Sequence, residues 1–96
     1  MAVRLIVTLE AFPGKREEML AAYAKRCPSV RAEPGCIEFR MSQDIENPDR
    51  FVLIEGWESE EALAVHGALP PDPNAADVRT LRKHLGGERY EYEPKS

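Results

Sequence analysis

The stretch RFVLIEGWE, residues 50–58, constrains the fold of this 96-residue chain more than any other. In an extended segment, alternate side chains point to opposite faces. One parity carries Phe51, Leu53, Glu55 and Trp57; the other carries Val52 and Ile54. A strand that is apolar on both faces belongs inside a sheet that is covered on both sides. The rest of the chain must therefore supply flanking strands, helices for one face and a cover for the second.

The flanking segments fit that requirement. VRLIVTLEA is a strand by strict alternation, with Val3, Leu5, Val7, Leu9 and Ala11 on one face and Arg4, Ile6, Thr8 and Glu10 on the other. Phe12-Pro13-Gly14 ends it. In KREEMLAAYAKRCPSVRAE, Leu20, Tyr23, Cys27 and Val30 recur at helical steps with Met19 and Ala24 beside them, and Pro28 is expected to kink the helix. Glu33-Pro34-Gly35 stops it. CIEFRMSQD is a second strand, with Ile37, Phe39 and Met41 facing one way, and Asn47-Pro48-Asp49 turns the chain into the third. Ser59 is an N-cap with Glu60 and Glu61 behind it, so EEALAVHGAL is a short helix ending near Gly67. NAADVRTLRKHL is expected to be a further helix, with Val78, Leu81 and Leu85 inward and Gly86 as its C-terminal cap. ERYEYEP is the last strand.

The order β-α-β-β-α-α-β indicates one α+β domain over residues 1–96. Its expected form is a ferredoxin-like antiparallel sheet, with strands one and three side by side and parallel at its centre. Helices can cover one face of such a sheet. The face bearing Ile6, Val52 and Ile54 is expected to be covered by the same face of a second subunit, giving a homodimer. A chain this short buries only about 60–65% of its unfolded surface. Cys27 and Cys36, the two cysteines, are too few for a disulfide scaffold and match no zinc spacing; both read as free thiols. Thirteen basic residues are dispersed among seventeen acidic ones, for a net charge of −4, which argues against a nucleic-acid partner. No apolar run reaches the roughly 20 residues of a membrane span, and no secretory leader is evident. The expected setting is the cytoplasm.

EPGCIEF followed by ENPDRFVLIEGWESEEALAVH resembles the antibiotic biosynthesis monooxygenase family, and the resemblance runs from Val3 to about Tyr92. It implies a dimeric α+β barrel and an oxygenase of small aromatic or quinol-type substrates that works without metal or other cofactor. His66 shares a helical stripe with Ala62 and Leu63, while Trp57 and Glu55 share a strand face with Leu53. Those directions send His66 and Trp57 into one space between helix and sheet. In the catalytic reading, His66 is the base, Trp57 an aromatic wall and Glu55 the partner that orients the imidazole, with Val7, Tyr23, Phe39, Leu53 and Leu63 lining the substrate pocket. In the other reading, the chain is a non-catalytic dimer that binds a small ligand or a partner protein, and Trp57 and His66 are packing residues. Haem-degrading relatives combine a strand-one Asn with the Trp and the helix His. Here that Asn position falls on Val7, which cannot hydrogen-bond an iron-bound ligand, so haem degradation is not expected. Tyr23 and His84 are the next candidates for a base, although a His near a helix C-terminus is also explained by the dipole. Tyr90 and Tyr92 read as edge or subunit-contact residues, and Arg79 as solvent-facing. The sequence contains no phosphate loop, metal-spaced cluster or serine-triad signal.

Overall fold

The computed structural model describes residues 1–94. Four strands and two helices follow in the order β1 (Ala2–Ala11), α1 (Arg16–Arg31), β2 (Cys36–Gln43), β3 (Arg50–Trp57), α2 (Glu60–Ala68) and β4 (Arg82–Tyr92), with a 3-10 turn at Val78–Thr80. The strands form one antiparallel sheet in the order β2-β3-β1-β4. This is an α+β ferredoxin-like fold. Among the described residues no helix is long and apolar enough to cross a membrane.

β1 and β3 are central neighbours but run antiparallel, not parallel, with Val3 opposite Trp57 and Leu9 opposite Phe51. Topology explains the correction. The α1 crossover returns β2 in the direction of β1 but leaves a gap one strand wide. The hairpin then reverses the chain, so β3 enters that gap running against both neighbours.

The core lies between the sheet and the helices. Leu9, Met19, Tyr23, Val30, Phe39, Phe51, Leu53 and Trp57 are all buried. Each large apolar side chain sealed there contributes about 1.5–3 kcal/mol. α1 stays helical through Pro28 and buries Met19, Tyr23, Cys27 and Val30. Leu20, expected inward, is 37% exposed because Met19 takes the stripe position beneath it. In β2, Ile37 is 44% exposed although alternation put it with Phe39 and Met41. Cys36 pairs with Trp57 and Glu38 with Gly56, so Ile37 is the extra residue of a bulge and loses the inward direction.

The expected third helix is absent. Its residues instead form a loop, the 3-10 turn capped by Asp77, and the first part of β4. β4 follows β1 along its whole length, from Ala2 opposite Tyr92 to Ala11 opposite Arg82. Pairing that edge satisfies a full row of backbone groups, and Gly86-Gly87 would have weakened a helix in any case. Thr8 pairs with Gly86 and Leu9 with His84, which leaves Leu85 as a second bulge residue, not a core residue. His84 lies on a strand, so no helix dipole acts on it. Both cysteines are free, Cys27 buried and Cys36 half-buried. Arg79 is exposed and bonded to Asp77.

Gly35 fixes how the sheet end meets α2. Its φ is +81°, and a Cβ there would come within 2.5 Å of Ala62 Cβ. Gly35 O also accepts from Glu58 N at 2.8 Å, tying this turn to the start of α2. Gly14 has a similar φ of +78° but faces open space. Gly35→Ala is therefore expected to cost clearly more than Gly14→Ala, about 3 kcal/mol against about 1 kcal/mol. Urea unfolding of the two variants measures the difference.

Candidate functional site

The C-terminal end of β3 and the helix that follows it build one cluster. Ser59 caps α2, its side chain accepting from Ala62 N at 3.1 Å. The helix therefore starts after a two-residue link, Glu58 and Ser59, and folds back over the sheet. Ala62 and Leu63 pack against the core, and His66, one turn beyond Ala62, lies over Trp57. The two rings are stacked, with centroids 4.6 Å apart and planes 30° from parallel. Phe39 stands beside them, its ring 6.2 Å from the imidazole and tilted by 58°.

Two carboxylates serve this cluster separately. Trp57 Nε1 donates to Glu55 Oε1 at 3.2 Å. His66 Nδ1 lies 2.7 Å from Glu33 Oε1. A carboxylate oxygen accepts, so this bond places a hydrogen on Nδ1, and in the neutral ring Nε2 is then the lone-pair nitrogen. His66 and Glu33 are both mostly shielded, with side chains 16% and 20% exposed. Shielding from water strengthens such a bond. His66 Nε2 has no hydrogen bond to a described residue, and it is not among the sealed polar atoms, which are Arg4 Nε and Arg82 Nε.

The carboxylate that orients His66 is thus Glu33, a residue the sequence reading used only as a helix stop. Glu55 is instead the acceptor for the indole. A signal for Glu33 was present: it sits two residues before the glycine that abuts Ala62, and His66 follows Ala62 by one turn. Linking them requires knowing that the Glu33–Gly35 turn and α2 touch.

The expected pocket residues divide into two groups. Phe39 and Leu53 are buried core, and Val7 and Leu63 are half-buried against it. Trp57 is wholly buried and His66 occupies the space on its face, so no separate void opens between them. Tyr23 lines a cavity of about 400 Å³ between α1 and the β2–β3 hairpin, together with Met19, Cys27, Met41 and Phe51. Burial raises the Tyr23 hydroxyl and the Cys27 thiol above their ordinary pKa values, so both remain protonated at neutral pH. His84 is exposed on β4 and remote from this cluster in register, opposite Leu9. Among the described residues no group of three His, Cys, Asp or Glu side chains is arranged to hold a metal ion.

Comparisons with known proteins agree with this architecture. A protein of Deinococcus radiodurans, described as a candidate antibiotic biosynthesis monooxygenase, superposes with a TM-score of 0.81 at 26% identity, covering 100% of this chain and 96% of that one. A heme oxygenase (mycobilin-producing) of Mycobacterium tuberculosis is 26% identical over 93 residues, 97% of this chain and 89% of that protein. A 42.8 kDa protein in the whiE locus of Streptomyces coelicolor is 35% identical over 57 residues, which is 59% of this chain but only 14% of that protein. The family model for antibiotic biosynthesis monooxygenase matches residues 2–71, which include both helices and the whole Glu33, Trp57 and His66 cluster. The chain belongs to the antibiotic biosynthesis monooxygenase family.

Proposed function

We propose that this protein is a cofactor-independent monooxygenase of a small aromatic or quinol-type substrate, with His66 as its base. The observation that carries the proposal is the 2.7 Å bond from His66 Nδ1 to Glu33. It holds the imidazole in one tautomer with Nε2 ready to take a proton, the arrangement general-base catalysis requires. Trp57 backs the ring by stacking. Phe39 packs at its side, and Glu55 anchors the indole.

The chemistry asks little more of the protein. An activated aromatic CH₂ or a phenol gives a proton to Nε2, and the imidazolium is stabilised by Glu33. For a CH₂ substrate, the resulting anion passes an electron to dioxygen, and the radical pair combines to a peroxide. Loss of water leaves C=O. One oxygen atom enters the product and the other leaves as water, and the substrate supplies all four electrons.

One observation favours the second reading, a ligand- or partner-binding protein without catalysis. The cavity of about 400 Å³ lies away from His66, and Trp57 is sealed. The two readings separate on oxygen uptake with a quinol and anthrone panel. The enzyme reading expects uptake above the uncatalysed rate, and expects His66→Ala to lose about 10²–10⁴-fold while remaining folded. Glu33→Ala is expected to lower the rate by about tenfold or more. It should also turn the ¹⁵N spectrum of His66 from a single Nδ1–H tautomer into a mixture. Uptake at the background rate throughout would favour the binding reading.

Haem is not expected to be turned over. Val7 offers no hydrogen bond on β1, and the face of His66 that meets Trp57 is already filled by the stack. Incubation with haem, a reductant and oxygen should leave the Soret band without conversion to an open tetrapyrrole.

We also propose that the chain works as a homodimer through the helix-free sheet face. Ile6, Val52 and Ile54 lie there only half-covered, in adjoining register across β1 and β3. Sedimentation at micromolar concentration should give a dimer. Ile54→Lys should shift it to monomer and lower the melting temperature, because a desolvated lysine at that contact has no partner.

A further inference from the structure

The cavity between α1 and the β2–β3 hairpin lies outside the His66 cluster. We propose that it binds a small amphiphilic carboxylate, an apolar body seated in the chamber with its acid group on Arg31.

The chamber has the right bed. Met19, Leu20, Tyr23, Cys27, Met41 and Phe51 line it, and its volume of about 400 Å³ suits a ligand the size of a fused two-ring aromatic or a medium-length chain. Leu20, 37% exposed on α1, is among the side chains that line the chamber.

The polar rim consists of Arg31, Arg40 and Gln43. Arg40 is already paired with Glu38 Oε2 at 2.9 Å, and Gln43 Nε2 is bonded to Pro48 O. Arg31 differs. Its Nη1 donates to Phe39 O at 2.8 Å, which pins the guanidinium against the outer edge of β2. It forms no ion pair with an acid among the described residues. A guanidinium has five N–H donors and only one is used, so a planar acid group can be met by the remainder. Phe39 O sets the orientation in advance, which reduces the cost of binding.

The field inside the chamber has the same sign, although the chain carries a net charge of −4. The residues lining the chamber include two arginines, Arg31 and Arg40, and no acid. The charged groups lining the chamber are therefore cationic.

The test uses 2-naphthoate as the probe and 2-naphthamide as its uncharged control, titrated calorimetrically into the full chain. Naphthoate should bind saturably, and the amide about tenfold more weakly or worse, the difference expected for one charge-assisted contact. Arg31→Met, at an exposed helix position, should bring naphthoate down to the level of the amide. Ala24→Trp, which fills the chamber from α1, should abolish binding of both. His66→Ala should leave naphthoate binding unchanged, which separates this site from the proposed base. Equal binding of acid and amide, no binding at millimolar probe, or loss of binding in His66→Ala would each overturn the proposal. Failure of oxygen uptake would not affect it.

Discussion

The close approach of the Glu33–Gly35 turn to α2 underlies the arrangement of the whole sheet end. A backbone with φ of +81° and no Cβ lets the turn sit directly on Ala62, and the bond from Glu58 N to Gly35 O locks the two together. A side chain at this position would collide with Ala62 Cβ and force the turn and α2 apart. Because α2 is rigid, His66 would move with Ala62, away from both Trp57 and Glu33. The stack at 4.6 Å and the bond at 2.7 Å thus depend on one glycine that touches neither ring.

The helix-facing side of the sheet consequently has two chemically different ends. At the C-terminal end of β3, rings and carboxylates fill the space and leave a single imidazole nitrogen with capacity. Toward the hairpin, a chamber remains among α1, β2 and β3. Phe39 lies between them. Its ring packs near His66 while its carbonyl holds Arg31, so one buried residue contacts the proposed base on one side and the proposed acid-binding group on the other. Arg26 lies over the same ring at 5.8 Å. A substitution at Phe39 would disturb both regions, which makes it a poor probe of either alone.

Several residues read differently in sequence and in space, and each has a local cause. Ile37 follows the alternation of its strand but falls at a bulge, where one extra residue breaks the face rule, and Leu85, read at helical spacing, is the extra residue of a second bulge. The segment from Asn74 to Leu85 has helical spacing at Val78, Leu81 and Leu85, yet it supplies β4 because β1 otherwise ends the sheet with an unpaired edge. Local pattern and the demand of a neighbouring strand conflicted there, and the backbone pairing prevailed.

Much of the fold was legible in the chain by itself. The two-faced apolar pattern of Phe51–Trp57 required an interior strand, Ser59 with its two glutamates marked the start of α2, and Ala62, Leu63 and His66 shared a stripe that pointed the imidazole at the sheet. These are rules of near neighbours, set by the periods of strand and helix. The identity of the carboxylate on His66 was not of that kind. Glu55 is nearer to Trp57 in sequence and on the right strand face, but Glu33 arrives from a turn 33 residues before His66. The antiparallel direction of β3 against β1, the two bulges and the chamber beside β2 likewise arise from how distant segments fit. Side-chain periodicity carries no information about which turn will meet which helix; close packing between elements decides that.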